Sequence, residues 1–382
     1  MKRRFALKSG LGALALLAIA GIGWILSLPA TPAVGAAPPI AQEETDAALA
    51  GLKPPKRERP LIAVIGVNEG TEATDYLMSY GILKRADVAD VVALATGPGP
   101  VTLYPALKVE PQSTVEEFDA KYPEGADYVI VPAMHRDDDP AALAWIRSQV
   151  DKGAMIVGVC AGAKVVAAAG LLDGKRATTH WYYIDELREK HPEFKYVADR
   201  RLVVDDGVAT TTGISASMPM MLTLIEAIAG REKAEAVARD LGLTQWDARH
   251  NSEAFKFNRR FALTVIGNTL AFWNREQFGI KLAPGVDEVS LALVADAWSR
   301  TYRSRAVTIS DTADGVTSRS GLRIIPDEVG GSVPAEEQLS AFTEPPAKEL
   351  DRTLDRIAVR YGERTADLVA MQLEYPRQAT SR

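Results

Sequence analysis

"GVCAGAKVVAAAGLLDGKRATTHW", residues 158–181, holds the only cysteine of a 382-residue chain, Cys160, between Gly158 and Gly162. The residues leading into it, "AMIVGV" at 154–159, are apolar and partly β-branched, as a strand buried on both faces requires. "AGAKVVAAAGLL" then starts a helix with no spacer. A strand that turns straight into a helix at G-x-C-x-G is the cysteine form of a nucleophile elbow. The glycines permit the tight turn and the close backbone approach that expose the side chain at the sheet's carboxyl edge. The free N–H groups of the following helix are expected to favour the thiolate. A lone cysteine forms no internal disulfide, so Cys160 is a reactive thiol, an intermolecular partner or a packed small residue. Twenty residues on, "RATTHW" reads as a short strand that can bring His180 back to Cys160, a nucleophile and base in principle; the alternative is a structural histidine packed on Trp181. His135, His191 and His250 lack ligand spacing, so neither a metal site nor a cofactor is expected.

Working outward, "LIAVIGV" (61–67), "DVVALAT" (90–96) and "ADYVIVPA" (126–133) read as further buried strands, and "DYLMSYGILKRA" (75–86) and "DPAALAWIRSQVDKG" (139–153) as helices. Strands alternating with helices imply an α/β fold, a doubly wound parallel sheet covered on both faces. At 47% hydrophobic and 25% charged the chain is ordinary globular material. Its net charge of −6, with no basic cluster beyond the amino end, argues against a nucleic-acid partner.

The amino end has its own pattern. Lys2, Arg3, Arg4 and Lys8 precede an 18-residue apolar run, Leu11 to Leu28, the borderline between a signal-peptide core and a short spanning helix. Residues 1–30 are thus expected to be a signal anchor or a cleaved signal peptide, leaving the rest facing the periplasm from the inner membrane or free within it. Residues 31–59, rich in Pro, Ala and charge, read as a tether.

From about 60 to 245 the chain resembles the ThiJ/PfpI superfamily, which has a class I glutamine amidotransferase-like fold. The resemblance rests on "VGVCAGAKVVAAAGLLDGKRATTHW", "ADYVIVPA", an acidic residue after the first strand, and "VVDDGVATTTGISASMPMMLTLIEAIAG" at 203–230. It is nearest to the isonitrile hydratases and the sensor domains of AraC-type regulators. It implies that Asp75 is the acid or base beside Cys160, with Glu69 and Glu72 as neighbouring competitors; a plain helix cap is the other reading of Asp75. Three departures stand out. Ala161 replaces a threonine, Ala133 and Met134 replace two glycines whose N–H groups serve an oxyanion in the family, and "YLMS" follows Asp75 in place of small residues and proline.

The rest of the chain suggests a degenerate partial second copy of the same fold. Residues 290–326 align without a gap on 75–111 at a shift of 215, matching Arg85 with Arg300 and Leu107 with Leu322, and placing Ser290 where Asp75 stands. Residues 354–373 align on 222–241 at a shift of 132, so the stretch with the elbow is missing between the blocks. Residues 246–382 are then a helical linker followed by a half-copy that covers the surface a second subunit would cover, an intrachain pseudo-dimer. The apolar run from Phe261 to Trp273 contains Asn268 and is too short to span a membrane. Two functional classes follow: a cysteine-dependent hydratase or hydrolase acting on an isonitrile, amide or reactive carbonyl, or a ligand-binding or redox-sensing module. Redox sensing needs an exposed, acidic thiol.

Overall fold

Leu61–Gly66 is buried at every position, and its side chains alternate between two separate apolar layers. Ile62 and Val64 face one layer, and Leu61, Ala63 and Ile65 the other. A strand with both faces covered in this way belongs to the middle of a parallel sheet. The computed structural model describes residues 19–31, 35–54, 56–330, 334, 337–339 and 342–377.

The elements run α1 (Gln42–Gly51), β1 (Leu61–Gly66), β2 (Glu69–Glu72), α2 (Ala73–Ala86), β3 (Asp90–Ala95), β4 (Val101–Tyr104), β5 (Lys108–Glu110), β6 (Ser113–Thr114), α3 (Val115–Lys121), β7 (Tyr128–Val131), α4 (Pro140–Asp151), β8 (Met155–Gly158) and α5 (Gly162–Ala168). Next come β9 (Arg176–Ala177), α6 (Ile184–Lys190), β10 (Lys195–Tyr196), β11 (Leu202–Asp205), β12 (Val208–Thr211), α7 (Ser217–Ala229) and α8 (Arg231–Leu241). The last part holds α9 (Arg259–Leu270), β13 (Glu276–Lys281), α10 (Glu288–Ser299), β14 (Ser304–Ser310), β15 (Val316–Thr317), β16 (Arg323–Ile325), β17 (Glu328–Val329), β18 (Gln338–Leu339), α11 (Pro346–Tyr361) and α12 (Glu363–Gln372).

The central sheet has the order β11-β12-β8-β7-β1-β3-β6 and is parallel throughout, apart from β11 against β12. The fold is α/β, and the carboxyl ends of β1, β7 and β8 lie side by side, where open α/β sheets bind ligands. The carboxyl-terminal sheet, ordered β17-β14-β13-β18, is also parallel, with α10 joining β13 to β14. A third, small sheet joins the two halves: β16 pairs antiparallel with β5, placing Val109 opposite Ile324. Beside it α2 packs on α10 so closely that a Cβ on Gly81 would lie 2.5 Å from Glu288 Oε1 and 2.9 Å from Val289 Cγ2.

Two expectations change here. Residues 42–51 form helix α1 where a tether was expected, because the segment has packing partners: Leu52 is fully buried, its carbonyl accepts the Tyr128 hydroxyl at 2.7 Å, and Glu44 pairs with Arg200 at 2.6 Å. Arg57 likewise pairs with the buried Asp127 at 2.6 Å. Of the expected signal or anchor, residues 1–18 lie outside the described residues; 19–27 are helical, and no described helix is long and apolar enough to cross a membrane.

Substituting Gly81 with valine forces the α2–α10 contact apart. The expected cost is about 1–3 kcal/mol of unfolding free energy, read from denaturant titration; an unchanged midpoint would show that this contact gives way freely.

Candidate functional site

Cys160 follows β8 with φ of +57°, the left-handed region that a residue with a Cβ rarely occupies. Its surroundings hold it there. The Cys160 N–H donates to Thr211 Oγ1 at 2.9 Å, and the Cys160 carbonyl accepts from the Thr179 hydroxyl at 3.2 Å. Gly162 has a steric reason of its own, since a Cβ there would stand 2.0 Å from the Val131 carbonyl oxygen. The elbow therefore presses against the end of β7, and only a bare backbone fits.

Asp75 lies in the first turn of α2 and is fully buried. Oδ2 accepts the Ala133 N–H at 3.0 Å, while Oδ1 has no hydrogen-bond partner among the described residues. The helix cap is Glu72: its Oε2 accepts the Asp75 N–H at 2.8 Å and the Thr74 hydroxyl at 2.6 Å. Its Oε1 meets Arg300 Nη2 at 2.7 Å, and the same guanidinium holds Asp296 at 2.8 Å. Burial, and next the Glu72 charge, push the Asp75 carboxyl well above the usual carboxylate range, so it holds its proton well above the pH at which an exposed aspartate loses it.

The thiol departs from expectation. Burial first, then the Asp75 and Glu72 charges, push Cys160 well above an ordinary thiol, and the opposing Ala161 N–H does not offset them. A helix of only seven residues sets few dipoles against that loss of water. The site thus favours a neutral thiol beside a carboxylic acid.

Above Cys160 lies a cavity of about 480 Å³. Ala133, Met134, Ala161 and His180 line it with Cys160; Asp75 is fully buried and is not among the lining residues. His180 is badly placed to act as a base. Its Nδ1 accepts the Tyr182 N–H at 3.2 Å and its Nε2 stands 3.0 Å from the Gln372 carbonyl, so the neutral ring uses both nitrogens to hold the backbone. Burial also lowers its affinity for a second proton. Ala133 spends its N–H on Asp75 and so does not offer it to an oxyanion.

The carboxyl-terminal half supplies further walls: Phe257, Phe261, Arg300, Tyr302 and Gln372. Glu374 reaches back as well, accepting the Gly213 N–H at 2.5 Å and pairing with His250 at 2.9 Å. Gly213 leaves the room, since a Cβ there would lie 2.5 Å from Glu374 Cβ. Of these residues only Arg300 left a trace in the sequence, through its match with Arg85.

An elbow cysteine, a buried acid in the first turn of α2 and a cavity over the sheet's carboxyl edge make up one site. Residues 62–227 match the model of the DJ-1/PfpI family. The chain is similar to an isonitrile hydratase of Pseudomonas putida, 37% identical over 147 residues, which are 37% of this chain and 60% of that protein. It is also similar to the HTH-type transcriptional regulator CdhR of Pseudomonas aeruginosa, 32% identical over 125 residues, 33% of this chain and 37% of the regulator. Among solved structures, Drosophila melanogaster DJ-1beta shares 22% identity, with a TM-score of 0.44 over 49% of this chain and all of that one.

A buried acid that ionises late makes stability depend on pH. The folded chain holds the Asp75 proton more tightly than the unfolded chain, so this contribution is full below the unfolded pKa and lost as pH rises through the folded one. Asp75→Asn keeps an acceptor for the Ala133 N–H and removes the ionisation. The difference in Tm between variant and parent should therefore move in the variant's favour from pH 5 to pH 9. A difference that stays constant with pH would refute the assignment.

Proposed function

We propose that the Cys160 cavity is a cysteine-dependent site that hydrates or hydrolyses a small, uncharged electrophile, an isonitrile before an amide or reactive carbonyl. The observation that carries this reading is the pairing of a neutral thiol with a buried carboxyl group whose Oδ1 has no hydrogen-bond partner among the described residues. Such a pair suits a substrate that brings no charge into a site costly to ionise. For an isonitrile, the S–H adds across the terminal carbon: the C–S bond forms, and the thiol proton ends on that carbon with Asp75 as relay. Water then adds to the same carbon and its proton goes to nitrogen. The C–S bond breaks, the thiol regains a proton, and a formamide leaves. Atoms balance as substrate plus water, and no oxidant is consumed. The 37%-identical isonitrile hydratase supports this substrate class.

With methyl or benzyl isonitrile as probe and formamide followed by NMR, Cys160→Ser and Asp75→Asn should each lower turnover at least a hundredfold while near-UV circular dichroism is kept. Parent-like turnover in both variants would defeat the proposal. The second reading, a ligand-binding module, draws on the Ala133 N–H being taken up by Asp75, which removes an oxyanion donor. Saturable binding of the same probes with no product would assign the cavity to sensing. In either case the basic residues ahead of the 11–28 run support export, anchored at the inner membrane or free in the periplasm.

We also infer that residues 246–382 are a partial second copy standing in for a subunit. Val109 and Ile324, paired across β5 and β16, lie 215 positions apart. The ion pairs at the α2–α10 contact exchange in the same way: Glu72 meets Arg300 and Arg85 meets Asp287, with 72 and 287, and 85 and 300, each 215 apart. The glycine corners between α7 and α8 and between α11 and α12 also agree, Gly230 at φ 86°, ψ 167° and Gly362 at φ 89°, ψ 157°. Residues 60–245 made alone should therefore self-associate through the bared α2 face, seen by sedimentation velocity; a well-folded monomer would count against the stand-in role.

A further inference from the structure

Fourteen large apolar side chains are exposed among the described residues, and nine of them fall within 19–26 and 263–273. Helix α9 explains part of this. Its inward side buries Phe261, Ala262 and Asn268, while Leu263, Ile266 and Leu270 form a second apolar stripe that faces outward. Phe272 and Trp273 extend the stripe, 64% and 70% exposed. A solvent-facing helix surface is normally polar, and an apolar patch of this kind marks a contact surface.

The amino-terminal segment is fastened to the same place. The Arg259 N–H donates to the Pro29 carbonyl at 2.9 Å, and its guanidinium reaches the carbonyls of Ile25, Leu26 and Leu28 at 3.2, 2.6 and 3.2 Å. Trp24 packs on Phe257 with ring centroids 6.1 Å apart. The Cys160 cavity opens beside this seam. Trp24 and Ile266 line it, and so do Tyr104, Tyr182 and Tyr302, three more of the fourteen exposed side chains.

We propose that this face, formed by residues 19–28, the outer stripe of α9, Phe272 and Trp273, rests on a lipid bilayer, with the mouth of the Cys160 cavity at the lipid–water boundary. The occupant is set by the chain: residues 19–28 are the carboxyl end of an 18-residue apolar run preceded by four cations, and whatever receives that run also meets α9. Trp24 and Trp273, with Tyr104, Tyr182 and Tyr302, are exposed side chains of the two types enriched at membrane interfaces. The proposal holds whether the cavity catalyses or only binds.

The test uses the full chain carrying Cys160→Ser and Leu270→Cys, labelled at the new cysteine with an environment-sensitive fluorophore. A Glu124→Cys variant in the same background, at an exposed site before β7, is the control. The probes are vesicles of phosphatidylcholine with phosphatidylglycerol, with and without brominated acyl chains. The label at 270 should shift to the blue on vesicles and be quenched by bromine, and the label at 124 should do neither. Three results would overturn the proposal: failure to bind vesicles, co-sedimentation with the 270 label still in water, or a blue shift without lipid that tracks protein concentration, which would assign the face to a second copy.

Discussion

The Glu72 carboxylate holds this structure together at its centre. One oxygen caps helix α2 and takes the backbone N–H of Asp75; the other receives the Arg300 guanidinium from the far half of the chain. Glu72 also donates its own N–H to the Ala133 carbonyl, whose residue in turn donates to Asp75. The proton-holding group of the site, the end of β7 and the carboxyl-terminal half are thus tied through one side chain. A buried carboxylate is sustainable only with such partners, because unpaired it would be strongly destabilising. The reciprocal pair, Arg85 with Asp287, secures the other end of the same helix contact.

This arrangement sets the chemical character of the cavity. Arg300 neutralises Glu72 and Asp296, but it leaves Asp75 and Cys160 without a cation of their own in a site from which water is withdrawn. Each then keeps its proton. The result differs from a thiolate trap for charged electrophiles. It is a buried, proton-holding floor beneath aromatic walls.

Much of the fold was legible in the chain because its signals are local. Continuous apolar runs marked β1, β3, β7 and β8, and the G-x-C-x-G turn marked the junction of β8 with α5. The site was only half legible. Cys160 lies within the local pattern and Asp75 was reached through the family resemblance, but the sign of the thiol shift depends on how many neighbours remove its water, and no spacing rule carries that. His180 was open to two readings, a base beside the sulfur or a structural histidine; its ring nitrogens brace Tyr182 and Gln372, a partner 192 positions away. The segment at 42–51 was misread for the same reason: its composition suits a tether, yet the groups that order it, Tyr128 and Arg200, lie far along the chain.

The reach of Glu374 into the notch at Gly213, and of Gln372 to His180, bears on how the protein is made. A ribosome delivers the elbow long before it delivers the helix that braces the loops around it. Until α12 docks, the cavity lacks Gln372 from its lining and the His180 ring lacks its brace. Formation of α12 is therefore also the step that completes the cavity, so a chain clipped short of Gln372 would lack both the Gly213 and the His180 contacts.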